Sequence, residues 1–259
     1  MTGLAIDCFS VALGRRPVLR NVTLHVPFGT LVAVVGPNGA GKTSLLRALA
    51  GLAPASGTMR LGGEDVGRLA PAARARNIAY LPQRSELAWD LGVRDAVMLG
   101  RLPHGDPFAR ATADDAAAVD AALDRLGLSP FADRAVTALS GGERARAMLA
   151  RALATGAQLI LADEPTAALD PAHQLAVLGL LRDEAAAGRI VLAVLHDLAL
   201  AARFADAVAV LHDGGLAAFG PPGEALSDDV LGEVFGLAFT RAEVDGRRVP
   251  IPLGPARAG

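Results

Sequence analysis

The sequence predicts an α/β protein with a mostly parallel sheet in three layers, an N-terminal antiparallel β part and an inserted α-helical subdomain. Three observations predict it. Apolar, β-branched-rich runs at 31–35, 159–162, 190–195 and 207–211 alternate with helical stretches, the pattern of a parallel sheet covered on both faces. Residues 4–11 and 22–26 instead read as two strands joined directly by a turn. From about Val93 to Leu153 the strand pattern disappears and helical periodicity takes over.

Composition sets the outer limits. The chain has 259 residues, enough for one large domain or a domain with a subdomain, and 52% are hydrophobic, enough for a sizeable core. No run of about 18 apolar residues occurs, so no transmembrane helix is expected. Met1-Thr2-Gly3-Leu4 lacks a charged and then apolar opening, so no signal peptide is expected. A net charge of −2 offers no basic footprint, and no nucleic-acid partner is expected. The single cysteine, Cys8, fits a reducing compartment and reads as a small buried hydrophobe on a strand.

The elements follow in order. The first two strands meet at Gly14-Arg15-Arg16-Pro17, where glycine and proline punctuate the chain. Leu31-Val32-Ala33-Val34-Val35 reads as a buried strand, and Ser44 to Ala50 as a helix closed by Gly51. Gly57 to Leu61 is a further strand, and Ile78-Ala79-Tyr80-Leu81 a short one closed by Pro82. The helical subdomain spans roughly 84–155, with Arg101 to Arg110 as a loop inside it. Its segment 112–126 places Val119, Leu123 and Leu126 on one face, with Asp114 and Asp115 in the first turn where the helix dipole favours acids. Strand and helix then alternate again through a helix at 171–187. The main domain ends near residue 236, and 237–259 is set apart as a polar, proline-rich tail.

The chemistry begins between strand 31–35 and the helix after it. Gly36-Pro37-Asn38-Gly39-Ala40-Gly41-Lys42-Thr43 fits the pattern G-x-x-x-x-G-K-[ST] in the strand–loop–helix setting a phosphate cradle needs. Glycines let successive amides turn inward as an anion nest, and the helix points its positive end at the same place. Lys42 is placed to reach phosphate and the Thr43 hydroxyl to bind Mg²⁺. Strand 159–162 runs into Asp163-Glu164, acids at the carboxyl end of a parallel strand where ligands gather. There Asp163 suits Mg²⁺ and Glu164 suits activation of water. Taken alone, the pair reads equally well as two solvated acids opening a loop. Strand 190–195 ends in His196-Asp197, where Asp197 also fits a helix N-cap and both roles can hold. His25, His104, His173 and His212 read as surface or packing residues. Leu139-Ser140-Gly141-Gly142-Glu143 opens a helix from Arg144 to Ala154 with an N-cap serine, although a cap without a ligand is the commoner role for such a stretch.

Together these motifs resemble the ATP-binding cassette ATPase family. The phosphate loop, Gln83, Leu139 to Glu143, Leu161-Ala162-Asp163-Glu164-Pro165-Thr166, Ala168-Leu169-Asp170 and His196 occur in that family's order, and the resemblance reaches about Gly236. It implies a P-loop NTPase core that binds ATP through Gly36, Pro37, Asn38, Gly39, Ala40, Gly41, Lys42, Thr43 and Ser44. It implies Mg²⁺ held by Thr43 and Asp163 with Gln83 touching it, and catalysis by Glu164 and His196. Ser140, Gly141, Gly142 and Glu143 would contact ATP bound to a second copy, with Asp170 at the interface of that homodimer. Glu143 stands where the family usually has glutamine, and Leu13 where it often stacks an aromatic on adenine.

The resemblance extends to a type of transporter. Leu99-Gly100-Arg101-Leu102-Pro103-His104 with Phe108, Leu169 to Gln174, and Val194 to Leu198 with Ala202 to Asp206 look like the ATPases of iron–siderophore, haem and cobalamin importers. That implies separate transmembrane permease subunits, a solute-binding protein acting through them, and a place at the cytoplasmic face of the cell membrane. The ATPases of zinc and manganese importers are the nearest alternative. A soluble cassette protein usually carries two cassettes or a long coiled-coil insertion, and neither occurs here.

Overall fold

The structure is a computed structural model that describes residues 3–83, 90–105, 110–167 and 169–255. Strands β1 (Leu4–Leu13) and β2 (Arg16–Val26) form a hairpin whose two-residue turn places Gly14 at φ 62°, a region only glycine enters freely. The strands run longer than their sequence signal because the turn is so short. β3 (Thr30–Val35) leads through the glycine loop into α1 (Lys42–Leu49). β4 (Ala55–Leu61) pairs antiparallel with β1, and β5 (Glu64–Asp65) completes a four-stranded sheet in the order β2-β1-β4-β5.

Helix α2 (Pro71–Asn77) precedes β6 (Ile78–Leu81). Helices α3 (Val93–Met98), α4 (Ala113–Arg125) and α5 (Gly141–Ala154) follow and pack on one another. Then come β7 (Leu159–Asp163), α6 (Pro171–Ala186), β8 (Ile190–Val194), α7 (Leu198–Phe204), β9 (Ala207–His212) and β10 (Gly215–Gly220). The second sheet has the order β10-β9-β3-β8-β7-β6, parallel except for β10 at its edge.

Strands buried on both faces explain the unbroken apolar runs. In β3, Leu31, Ala33 and Val35 face one core, which they share with α3 to α6. Val32 and Val34 face the other, which holds Leu45, Leu46 and Leu49 of α1 and the apolar side of β1 and β2. Helix α1 is therefore enclosed between the two sheets, and this anchors the loop before it.

Two expectations change, and two features carried no expectation. The start of the expected Arg101–Arg110 loop belongs to a 3-10 helix, Leu99–His104, held where Arg101 Nε donates to Asp115 Oδ1 at 2.9 Å and Arg101 Nη1 to the Ala154 carbonyl at 2.9 Å. Cys8 is exposed, not buried: it sits at φ 50° in a register shift of β1 that turns its side chain out of the alternation. Strand β10 gave no sequence signal, since glycine and alanine dominate it. Residues 237–255 form structure: after α8 (Pro222–Ala225) and α9 (Asp228–Phe235), β11 (Leu237–Val244) and β12 (Arg247–Pro255) make an antiparallel hairpin packed on α7. Arg247 Nη1 donates to the Ala205 carbonyl at 2.8 Å, Arg203 pairs with Asp245 at 2.8 Å, and Val249 is buried in the main core. Among the described residues no helix is long and apolar enough to cross a membrane.

Candidate active site

The glycine loop is shaped by its surroundings. Gly36 lies at φ 148°, and a Cβ there would stand 2.2 Å from the Leu211 carbonyl oxygen. Gly41 lies at φ 98°, and a Cβ there would meet the Leu19 side chain at 2.7 Å. Only glycine satisfies both the torsion and the space. Lys42, first residue of α1, is buried, and its Nζ donates to the carbonyls of Gly36 at 2.7 Å and Pro37 at 2.9 Å. Burial lowers its pKa, while the nearby charges of Glu164 and Asp163 work to raise it.

The second group stands at the carboxyl ends of three adjacent strands. Parallel register pairs Leu81 with Ala162 and Asp163 with Val194, so the chain leaving β6, β7 and β8 emerges side by side. Asp163 is buried; its Oδ1 accepts from Thr43 Oγ1 at 3.0 Å and its Oδ2 from Tyr80 Oη at 3.1 Å. Burial pushes its carboxyl above the usual range, and the two hydrogen bonds oppose that shift. Burial, then the Asp163 charge, likewise raises the Tyr80 hydroxyl.

Glu164 adopts φ 50°, an uncommon conformation for a residue with a side chain and one that recurs at functional sites. Its Oε2 accepts from Gln83 Nε2 at 2.6 Å, and its Oε1 lies 2.7 Å from His196 Nε2. Asp197 caps α7 through Oδ1, accepting from the amides of Ala199 and Leu200, which fixes the backbone beside His196.

The loop, Glu164 and His196 line one cleft of about 670 Å³. Its far wall is the tip of the β1–β2 hairpin together with His212, Asp213 and Gly214. Ser140, Gly141, Gly142, Glu143 and Asp170 do not line it; within one chain they form a separate group. Ser140 and Glu143 close a capping box at the start of α5, with Ser140 N donating to Glu143 Oε2 at 2.8 Å. Those bonds from Ser140 lower the Glu143 carboxyl. Asp170 caps α6 and lies 2.6 Å from His173 Nδ1. The His173 ring fills the place a Gly142 side chain would occupy, and so joins the starts of α5 and α6.

Sequence reading missed several of these residues. Tyr80 looked like an ordinary strand residue, and Arg16, Arg20, His212 and Asp213 lie far apart in the chain although they share the cleft. His173 is a packing residue that bridges two helix starts, as expected, whereas His212 lines the cleft. Phe108 and Ala168, named above, lie outside the described residues, as does the start of the helical subdomain at 84–89.

The donor set fits Mg²⁺. A hydroxyl and one carboxylate, 3.0 Å apart, are hard oxygen ligands of the kind Mg²⁺ takes alongside phosphate oxygens and water. A buried Asp163 whose charged form is disfavoured by burial also suits a site completed by a cation. Among the described residues there is no cluster of three or more His, Cys, Asp or Glu, and a Mg²⁺ that takes one or two protein ligands beside substrate oxygens and water would need none.

The chain is similar to known proteins over most of its length. Residues 19–167 match the ABC transporter family. A hemin import ATP-binding protein of Streptomyces coelicolor is 49% identical over 228 residues, covering 87% of this chain and 80% of that one. A cobalamin import ATP-binding protein of Halobacterium salinarum is 45% identical over 234 residues, covering 90% of this chain and 58% of that one. A solved structure described as an inward-facing conformation of a metal-chelate type ABC transporter superposes with a TM-score of 0.85 at 28% identity, covering 98% of each chain. A family match over more than half of the sequence, joined to a relative 49% identical over most of its length, establishes that the chain belongs to the ABC transporter family as an ATP-binding cassette ATPase.

Proposed function

We propose that the chain is the ATP-hydrolysing subunit of an importer for haem, cobalamin or an iron chelate. The observation that carries the reading is the meeting of the phosphate loop, Glu164 and His196 on one cleft, with buried Asp163 bonded to Thr43 behind it, in a chain whose relatives are hemin and cobalamin import ATP-binding proteins. Gly36 to Ser44 take the triphosphate. Thr43 and Asp163, with Gln83 adjoining, are the residues that would hold Mg²⁺, which when bound draws charge from the phosphate oxygens. Glu164 accepts a proton from the attacking water, and His196 positions that carboxylate and faces the terminal phosphate. In this structure each Glu164 oxygen has one partner, Gln83 or His196, which leaves acceptor capacity on both for a water.

The group formed by Ser140 to Glu143 and Asp170 finds its use in a homodimer, where a second copy brings it over the first copy's cleft. The permease fits a second cleft of about 560 Å³ beside exposed Leu52, which Tyr80 and Arg151 also line. On this reading the chain works at the cytoplasmic face of the membrane, with a solute-binding protein delivering cargo to the far side.

The test uses the complex purified from membranes. ATP hydrolysis is measured with haem, cobalamin and a ferric chelate, each delivered by the binding protein. Stimulation by one of them is expected. Stimulation by zinc or manganese alone would reassign the cargo, and a chain that purifies without any membrane partner would overturn the importer reading.

A further inference from the structure

Asp163 is the carboxylate that the site would offer to Mg²⁺, and a carboxylate turns easily about its last bond. A buried one depends on its hydrogen-bond partners to hold its plane. Asp163 is 1% exposed, and each oxygen has its own partner: Oδ1 accepts from Thr43 Oγ1 at 3.0 Å and Oδ2 from Tyr80 Oη at 3.1 Å. Thr43 belongs to the phosphate loop, whereas Tyr80 comes from a separate strand. Tyr80 pairs with Leu161 across β6 and β7, and alternate side chains of a strand share a face. The phenol therefore lies on the face that carries Asp163 and reaches it diagonally. Its ring packs against the core that holds α1, which aims the hydroxyl from a fixed direction.

We propose that Tyr80 is a positioning residue for the cation site: its hydroxyl occupies Oδ2 and so keeps Oδ1 turned toward Thr43, where the two oxygens would meet Mg²⁺. The inference rests on the reading of Thr43 and Asp163 as the Mg²⁺ residues. A phenol suits this task. It donates one hydrogen bond and brings no positive charge, so it orients the carboxylate without competing with a cation for it. A lysine or arginine in the same place would neutralise Asp163 and weaken its hold on a metal. Groups that hold a metal's ligands from behind typically change metal affinity or activity by about 10–100-fold when removed. Tyr80→Phe keeps the ring, which also lines the second cleft, and deletes only the hydroxyl.

The experiment titrates Mn²⁺, a paramagnetic stand-in for Mg²⁺, into the full-length chain held in excess over ADP, so that all the nucleotide is bound. Free Mn²⁺ is read by electron paramagnetic resonance. Tyr80→Phe should raise the Mn²⁺ Kd about tenfold or more, and leave ADP affinity measured in EDTA unchanged. In the assembled complex the same variant should need about tenfold more Mg²⁺ for half-maximal ATP turnover. A phenol that served packing alone would move neither value. A Mn²⁺ Kd within about twofold of that of the unmodified chain would overturn the inference while leaving Thr43 and Asp163 as the Mg²⁺ residues. Tyr80 is the single tyrosine of the chain, so a second measurement needs no variant. Tyrosine labelled with ¹³C at Cζ gives one NMR line, and Mg²⁺ added to the ADP-loaded chain should shift it. A line that stays in place would also overturn the inference. Failure of Mn²⁺ to bind the unmodified ADP-loaded chain would overturn the Mg²⁺ reading itself.

Discussion

His196 Nε2 lies 2.7 Å from Glu164 Oε1, and the two residues come from the ends of adjacent parallel strands, 32 positions apart in sequence. The contact brings an imidazole to the acid proposed to activate water. Replacing Glu164 with Gln keeps the shape and removes the proton acceptor. Glu164→Gln should lower ATP turnover by about 10²–10⁴-fold while nucleotide binding persists, which phosphate release and equilibrium binding would measure separately. Turnover at the unmodified rate would remove Glu164 from the reaction.

Asp115 gives a pH signature. Its carboxyl, hydrogen-bonded first by the Thr112 hydroxyl and amide and then by Arg101, is pushed down to about 2. A lowered folded-state pKa stabilises the fold above the ordinary carboxylate range near about pH 4, and the contribution is lost as pH falls through about 2. Asp115→Asn should therefore lower Tm at neutral pH and flatten the fall of Tm between those values. Parallel Tm curves for the two proteins would contradict the assignment.

Glu184 supports a stability prediction. Its side chain is buried, with Arg125 Nε 2.6 Å from Oε1 and the Arg189 guanidinium on Oε2, so it ties α4 to α6 and to the start of β8. Arg189→Ala leaves half of a buried carboxylate unpartnered and should cost about 1–3 kcal/mol in denaturant unfolding. An unchanged midpoint would mean that Arg125 alone satisfies the acid.

Val249 tests whether 237–255 is a separable tail. We propose that it is an integral part of the domain, because Val249 is 3% exposed and contributes to the main core. Val249→Ala should destabilise the whole domain by about 2 kcal/mol, read as a shift of one cooperative transition. A Tm equal to that of the unmodified chain would return these residues to the status of an appendage.

Much of the molecule was legible because its signals are local. A glycine loop between an apolar run and a helix is a short-range pattern, and so is an N-cap serine with glutamate three residues on. The parallel alternation needed only the apolar runs at 31–35, 159–162 and 190–195. Strand β10 and the terminal hairpin escaped because β10 is rich in glycine and alanine, while alternate prolines in β12 weigh against a strand.

By itself, then, the sequence determined the α/β alternation, the phosphate loop and the acids and histidine at strand ends, since each depends on residue types within a few positions of one another. Tertiary structure alone decided which distant residues meet. Tyr80 reaches Asp163 because β6 lies beside β7, Gln83 and His196 close on Glu164 because the register of three strands aligns their ends, and His173 fills the space above Gly142 because α5 and α6 start together. Leu13 and Arg16 share the far wall of the cleft with Asp213 because the Arg20 amide donates to the Gly214 carbonyl at 2.7 Å and brings that turn against β2. Such pairings depend on strand order and register, which are set by burial summed over the whole core and carry no signature in any short stretch of chain.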